Sequence, residues 1–284
     1  MNGIKRTINK LIRSYETSDG AGVKLKRTIG GAISHVDPFL LLDEFKSDDS
    51  SDYIAGFPEH PHRGFETVTY MLQGKLEHKD TSGNRGVIES GGIQWMTAGR
   101  GIVHSEMPLQ ENGLMWGFQL WINLPSTHKL CAPRYQDLPA SSVPIINYAN
   151  QTVVKVLAGV FNHQENGESI QGPVKDIITN PLYVDIRLPA NESITVPLEV
   201  SHTAFIYPFE GSLEVEQSHV PSNTTAVLSA GDVVEIKASA EGARFLLVAA
   251  LPLNEPVARR GPFVMNTQSE ILQAYADFAN GKFV

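Results

Sequence analysis

The stretch FPEHPHRGFETVTYMLQG, residues 57–74, decides how this chain folds. It contains a β-branched and aromatic run from Thr67 to Leu72 that ends at the turn signal Gln73-Gly74, so we expect a strand here. His60 and His62 precede this run and are separated by one residue. In an extended strand, side chains two positions apart point to the same face. The stretch therefore predicts two imidazoles side by side on one strand.

A second stretch, GRGIVHSE at residues 99–106, repeats this spacing with His104 and Glu106. If the two strands face each other, three imidazoles and one carboxylate converge. Nitrogen and oxygen donors of this kind suit Fe(II), and also Mn, Co, Ni, Cu or Zn. The alternative is a structural zinc site, but such sites normally have a closed tetrahedral shell and more often use cysteine.

Composition limits the classes of protein to consider. The chain has 284 residues, enough for one to two domains, and a formal net charge of −8, which disfavours direct binding to nucleic acid. Its single cysteine, Cys131, allows no intrachain disulfide and is typical of a reducing compartment. The N-terminal residues lack an apolar leader, and no stretch approaches the ~20 apolar residues that span a bilayer. We therefore expect a cytoplasmic protein that does not bind membranes.

The remaining pattern is that of an all-β protein with one late helix. Short apolar runs separated by turns occupy both halves of the chain, on either side of the proline-, serine- and alanine-rich residues 127–144. Thr267 followed by Glu270 predicts a capping box at the start of a helix. The apolar face predicted for this helix consists of Ile271, Leu272, Tyr275 and Phe278.

The second half of the chain resembles a diverged copy of the first. TAFIYPFEGSLEVE, residues 203–216, parallels ETVTYMLQGKLEHK, residues 66–79. Extending this alignment to the four donor positions gives the residues Pro197, Glu199, Ala243 and Phe245. Only one of these is a ligand type, so the second copy is predicted to bind no metal.

Four blocks of the sequence resemble the pirin family of the cupin superfamily. They are DPFLLLDEF (37–45), HPHRGFETVTY (60–70), WMTAGRGIVHSE (95–106) and GPFVMNT (261–267). The resemblance implies two tandem cupin barrels, which are jelly-roll-like and all-β, with a short C-terminal helix. The expected boundaries are a metal-binding barrel at residues 1–134, a linker at 135–144, and a degenerate barrel with the terminal helix at 145–284.

The resemblance also implies a ligand set. Most cupins use the glutamate of the first motif, here Glu66, whereas pirins use the carboxylate two residues after the histidine of the second motif, here Glu106. The implied metal ligands are His60, His62, His104 and Glu106. Glu66 is then expected beside the site, or paired with Arg63 or Arg100. His78 is expected on the surface or beside the site.

The activity implied by the resemblance is that of a flavonol 2,3-dioxygenase, similar to quercetinase, with Fe(II) as the expected metal. Dioxygen would open the heterocyclic ring of a flavonol and release carbon monoxide, and Glu106 would be the catalytic base. The alternative is a non-enzymatic regulator that senses iron or redox state and binds a partner protein. The enzyme predicts a ligand-sized cavity beside the metal, and the regulator predicts a partner surface.

Overall fold

A computed structural model describes residues 3–163 and 167–283. In the first half of the chain the strands are β1 (Ile8–Arg13), β2 (Tyr15–Asp19), β3 (Val23–Ile29), β4 (Phe39–Ser47), β5 (Phe57–His62), β6 (Phe65–Gln73), β7 (Lys75–Asp80), β8 (Arg85–Glu89), β9 (Ile93–Thr97), β10 (Ile102–Pro108), β11 (Met115–Asn123) and β12 (Arg134–Leu138). In the second half they are β13 (Ile145–Asn147), β14 (Val153–Ala158), β15 (Val160–Asn162), β16 (Ser169–Gln171), β17 (Leu182–Leu188), β18 (Ser193–Pro197), β19 (Thr203–Val215), β20 (Ser218–Val220), β21 (Thr224–Leu228), β22 (Val233–Ala250), β23 (Ala258–Arg260) and β24 (Phe263–Met265). The helix α1 (Gln268–Ala279) follows, and short 3-10 helices lie at Ser50–Asp52, Ser126–His128 and Ala140–Ser142. The predicted all-β class is confirmed.

The chain forms two compact units, and each unit includes a segment from the opposite end of the sequence. The histidine unit consists of Tyr15–Ala140 and Leu253–Val284, and the companion unit of Met1–Ser14 and Ser141–Pro252. This division differs from the predicted boundaries at both termini. Strand β1 pairs with β21 of the companion unit, and the last strands and the helix join the histidine unit.

The histidine unit contains two antiparallel sheets. Their strand orders are β12-β9-β6-β11-β4-β3-β2 and β5-β10-β7-β8. Residues directly opposite each other in antiparallel strands project to the same face. The register of the larger sheet therefore aligns polar side chains in one row across six strands: Asp137, Gln94, Thr69, Gln119, Asp43 and Arg27.

The C-terminal segment of this unit forms the hairpin β23–β24 and then α1. The predicted capping box is present, since the Thr267 side chain accepts from the Glu270 backbone N–H and the Glu270 carboxylate accepts from the Thr267 backbone N–H. The helix buries Ile271 and Ala274, whereas Leu272 is 62% exposed. The predicted apolar face was therefore wrong at Leu272, and Phe278 is also 41% exposed, whereas Ala274, which the prediction left out, is buried.

The companion unit is built on a sheet with the strand path β1-β21-β19-β22-β17-β14-β13, which β18 and β20 extend. Its interior is filled by valine, leucine, isoleucine and alanine side chains together with Phe161 and Phe245. Phe245, the residue aligned with Glu106, has no exposed surface. Burial of this apolar side chain stabilises the companion unit at the position where the histidine unit has the polar Glu106.

Among the described residues, no helix combines the length and the hydropathy needed to pass through a lipid bilayer.

Candidate metal centre

Strands β5 and β10 lie next to each other and pair antiparallel, with His104 directly opposite His60. The sequence predicted that the histidines would converge if these two strands lay next to each other. His62 lies two residues after His60 on the same face, so the three imidazoles meet. Their ring centroids are 4.5–5.1 Å apart, and one nitrogen from each ring lies within 4.8 Å of the others.

The contact between His60 and His62 has the spacing of two ligands on one metal ion. The Nδ1 atom of His60 lies 2.8 Å from the Pro58 carbonyl oxygen, which can only accept, so Nδ1 carries the proton and Nε2 presents a lone pair. The Nε2 atoms of the two histidines are 3.0 Å apart. Two nitrogens bound at about 2.1 Å to one metal, at a right angle, are separated by about 3.0 Å. The spacing therefore fits a shared metal ion.

His104 has two buried ring nitrogens that lack a hydrogen-bond partner among the described residues. The Nδ1 atom of His62 makes no hydrogen bond of good geometry there, although the Pro262 backbone is near enough to favour the protonated imidazole. Leaving such an atom unpaired costs about 1–3 kcal/mol. Burial, with a contribution from the neighbouring His60 imidazole, lowers the pKa of both histidines well below the ordinary value. Both are therefore neutral at neutral pH, which is the form that binds a metal.

Glu106 lies beside the three histidines but outside their 4.8 Å group, as far as the described residues show. Its two oxygens are held by two side chains of the polar row. The Thr69 hydroxyl lies 3.0 Å from Oε1, and the Gln119 amide donates to Oε2 at 3.0 Å. Glu106 is 1% exposed, and burial raises the pKa of its carboxyl.

Glu66 and His78 do not join this group. Glu66 is buried on β6 and accepts a hydrogen bond from the Thr97 hydroxyl at 2.6 Å. Arg63, one of its expected partners, instead donates to Asp277 at 2.6 Å. His78 lies opposite Glu106 on β7, is buried rather than on the surface, and has its Nε2 3.2 Å from Asp137 Oδ2.

A cavity of about 620 Å³ opens beside the histidines. His60, His62, Glu106 and Gln119 line its inner end, and apolar side chains from β3, β4, β5 and β11 line its walls. Arg27, Asp43 and Arg259 add charge to the lining. Binding cavities for small molecules commonly have this size and this mixture of apolar walls and few polar groups.

Sequence reasoning missed several residues of this site. Gln119 and Arg27 lie in no quoted block, and Asp43 lies in the DPFLLLDEF block without having been singled out. They reach the site because the sheet register places them opposite Thr69 or one another. Arg259 had a weak signal, since it lies two residues before the GPFVMNT block.

Two β units of cupin type, one with three clustered histidines beside a cavity, define this chain as a bicupin. Its sequence matches the pirin family over residues 22–122 and the pirin C-terminal cupin domain over residues 183–284. The chain belongs to the pirin family.

Three similar proteins illustrate this relationship. A pirin-like protein of Caulobacter vibrioides is 46% identical over 279 residues, which cover 98% of this chain and 99% of that protein. A Pseudomonas aeruginosa protein named as a candidate quercetin 2,3-dioxygenase is 46% identical over 281 residues and 97% of each chain. A crystal structure of a quercetin 2,3-dioxygenase from Acinetobacter baumannii superposes with a TM-score of 0.88 at 32% identity and 98% coverage of each chain.

Proposed function

We propose that this protein is a metal-dependent dioxygenase that opens the heterocyclic ring of flavonols such as quercetin. His60, His62, His104 and Glu106 are the proposed ligands, and Fe(II) is the proposed metal. The observation that carries the proposal is the meeting of three imidazoles, two of them neutral and buried, beside a cavity of about 620 Å³ that His60 and His62 help to line. The names of the similar proteins from Pseudomonas and Acinetobacter support the same activity.

The donor set fits an oxygenase better than a structural site. Three imidazoles and one carboxylate leave positions open on a six-coordinate ion, and none of the four is a cysteine. Bound Fe(II) would supply these open positions and the redox chemistry that brings dioxygen to an aromatic substrate.

Glu106 is the proposed catalytic base. A flavonol must lose the proton of its 3-hydroxyl to become a good oxygen donor, and Glu106 is a carboxylate of the cavity lining whose pKa burial raises. Thr69 and Gln119 hold its two oxygens, so the carboxylate is oriented before the substrate arrives.

The cavity walls support a planar aromatic substrate. Leu25, Leu41, Phe45, Phe57 and Trp121 provide apolar surface around the polar end. A substrate packed against these side chains excludes water from Glu106, which strengthens its hydrogen bonds and its interaction with charge.

The alternative, a regulator that binds a partner protein, is less well supported. A cavity lined by both apolar groups and candidate ligands fits a small molecule, and the similar proteins named above do not favour a regulator. We propose that the enzyme acts in the cytoplasm, because its single cysteine suits a reducing compartment.

The test is anaerobic reconstitution with Fe(II), followed by measurement of oxygen uptake with quercetin and several other flavonols. The parent protein should consume dioxygen only when a flavonol is present. Glu106→Gln should lose more turnover than metal, and Glu111→Gln, at an exposed position, is the matched control. Iron-replete parent protein that shows no flavonol-dependent uptake would refute the dioxygenase and favour the regulator.

A further inference from the structure

The cavity of the histidine unit contains two arginines in different electrostatic situations. The positive charge of Arg27 is balanced by two carboxylates. Its Nε and Nη2 donate to the two oxygens of Asp43 at 2.8 and 2.7 Å, and its Nη2 also donates to Asp19 at 2.7 Å. Arg259 lines the same cavity. In the described part of the chain, Arg259 has no carboxylate within ion-pair distance.

Arg259 is nevertheless held firmly in place. Its Nη1 donates to the Leu40 carbonyl oxygen at 3.0 Å, and its guanidinium lies 4.7 Å from the centre of the Trp121 ring. A Cβ atom at Gly30 would lie only 3.3 Å from this Nη1, so glycine leaves the room that the guanidinium occupies. These contacts use one of the five guanidinium N–H groups and one face of its plane, and leave donors for a ligand.

The setting of Arg259 favours an incoming negative charge. The group is half-buried, and burial, followed by repulsion from Arg27, lowers its pKa, whereas attraction to Asp43 and Asp19 acts in the opposite direction. A partly desolvated guanidinium is stabilised by a charge-assisted hydrogen bond to an oxygen anion, and such bonds are about twice as strong as neutral ones.

Trp121 connects this cation to the histidines. Its ring centre is 5.2 Å from that of His62 and 4.7 Å from the guanidinium carbon of Arg259, so the guanidinium lies no farther from the His62 ring than the sum of these two distances. Arg259 and the histidines therefore lie within reach of one planar molecule of two or three rings, which can present one oxygen to the histidines and another to Arg259.

We propose that Arg259 determines substrate specificity by binding a second, anionic or strongly accepting oxygen of a substrate whose first oxygen faces the histidines. This inference rests on the proposed function, and it specifies the substrate class. The preferred substrate is a planar aromatic molecule with one oxygen for the metal site and a second, ionisable hydroxyl within reach of Arg259.

The test compares two flavonols in binding measurements without turnover. Quercetin carries hydroxyls on its outer rings, and 3-hydroxyflavone carries only the hydroxyl at position 3. Both are titrated into the full chain by calorimetry, as purified and after loading with Fe(II), in the absence of dioxygen. We expect the parent to bind quercetin at least about tenfold more tightly, the range expected for one charge-assisted hydrogen bond.

Two variants separate recognition from structure. Arg259→Met keeps apolar contact with Trp121 and removes the charge, and Arg259→Gln is neutral but can still donate to the Leu40 carbonyl. Both should reduce the tenfold preference to less than about twofold and leave the affinity for 3-hydroxyflavone nearly unchanged. Arg260→Met is the matched control, because Arg260 is exposed on the same strand and lies over the Tyr275 ring instead. It should retain the preference of the parent.

The outcomes distinguish the two proposals. The role of Arg259 is overturned if Arg259→Gln keeps the preference for quercetin. It is also overturned if the parent binds the two flavonols equally or binds neither. A preference that depends on Arg259 in a protein without flavonol-dependent oxygen uptake supports the role of Arg259 and refutes only the dioxygenase.

Discussion

Glu66 provides a test of the electrostatics of the histidine unit that does not depend on the metal. Its carboxyl is 2% exposed, and burial raises its pKa from 4.5 to about 7, although the Thr97 hydroxyl donates to it. Between these two pH values the folded protein holds a proton that the unfolded chain has lost. The free energy of unfolding therefore falls as pH rises through this window.

The size of this effect follows from the two pKa values. Each pH unit corresponds to about 1.4 kcal/mol, so the ionised carboxylate costs the folded state about 3 kcal/mol once the pH exceeds 7. Glu66→Gln removes this cost, because the amide is neutral at every pH and its oxygen can still accept from Thr97. The variant should gain about 3 kcal/mol relative to the parent between pH 4.5 and pH 8.

Differential scanning calorimetry of parent and variant across this pH range measures the effect. The difference in melting temperature should grow by ~6–12 °C from pH 4.5 to pH 8 in the transition that includes the histidine unit. A difference in melting temperature that is the same at every pH reflects how well the amide packs at position 66, and it does not test the pKa of Glu66. Glu89→Gln, on an exposed strand, controls for the general loss of one carboxylate. A difference that stays constant from pH 4.5 to pH 8 would refute the raised pKa of Glu66.

Three further predictions concern the metal and the packing around it. His62→Ala and His104→Ala should each lose most of the bound metal, measured by atomic emission spectrometry, while the protein stays folded by circular dichroism; full occupancy in both would show that the ligands are elsewhere. His202 is the one histidine next to the repeat at residues 203–216, so it is the remaining candidate ligand of the companion unit. His202→Ala should leave the stoichiometry at one metal per chain; a parent with two metals per chain, one of them lost in this variant, would contradict the prediction that this unit binds no metal. Lys129→Met should destabilise the protein by at least about 3 kcal/mol in urea unfolding. The Lys129 ammonium donates to Gly64, Asn123 and Val264, so its loss leaves three buried acceptors unpaired. A loss of stability below about 1 kcal/mol would contradict this.

The sequence predicted the features that depend on strand periodicity. The spacing of His60 and His62, and of His104 and Glu106, placed each pair on one face of a strand, and the structure pairs those two strands directly. The all-β class and the capping box at Thr267 were predictable for the same reason, since each depends on residues close together in the chain.

The missed features depend on residues far apart in the sequence. Gln119 reaches Glu106 through the register of β11 with β6, and Arg259 reaches Leu40 across 219 residues. Periodicity within a strand does not show which strands become neighbours, and no single sequence reveals the register between them. The same limit explains why the prediction assigned each terminus to the unit formed by its own half of the chain.

The interleaving of the chain ends sets an order on biosynthesis. Synthesis proceeds from the N-terminus, and domains generally fold as units as they emerge. The histidine unit needs the segment that begins at Leu253, so its cavity lacks Arg259 until almost the whole polypeptide has left the ribosome. The nascent chain can thus present His60, His62 and His104 well before the cavity around them is closed. A ribosome that stalls beyond the midpoint would therefore leave these imidazoles exposed, without the residues after Leu253 that complete the cavity lining.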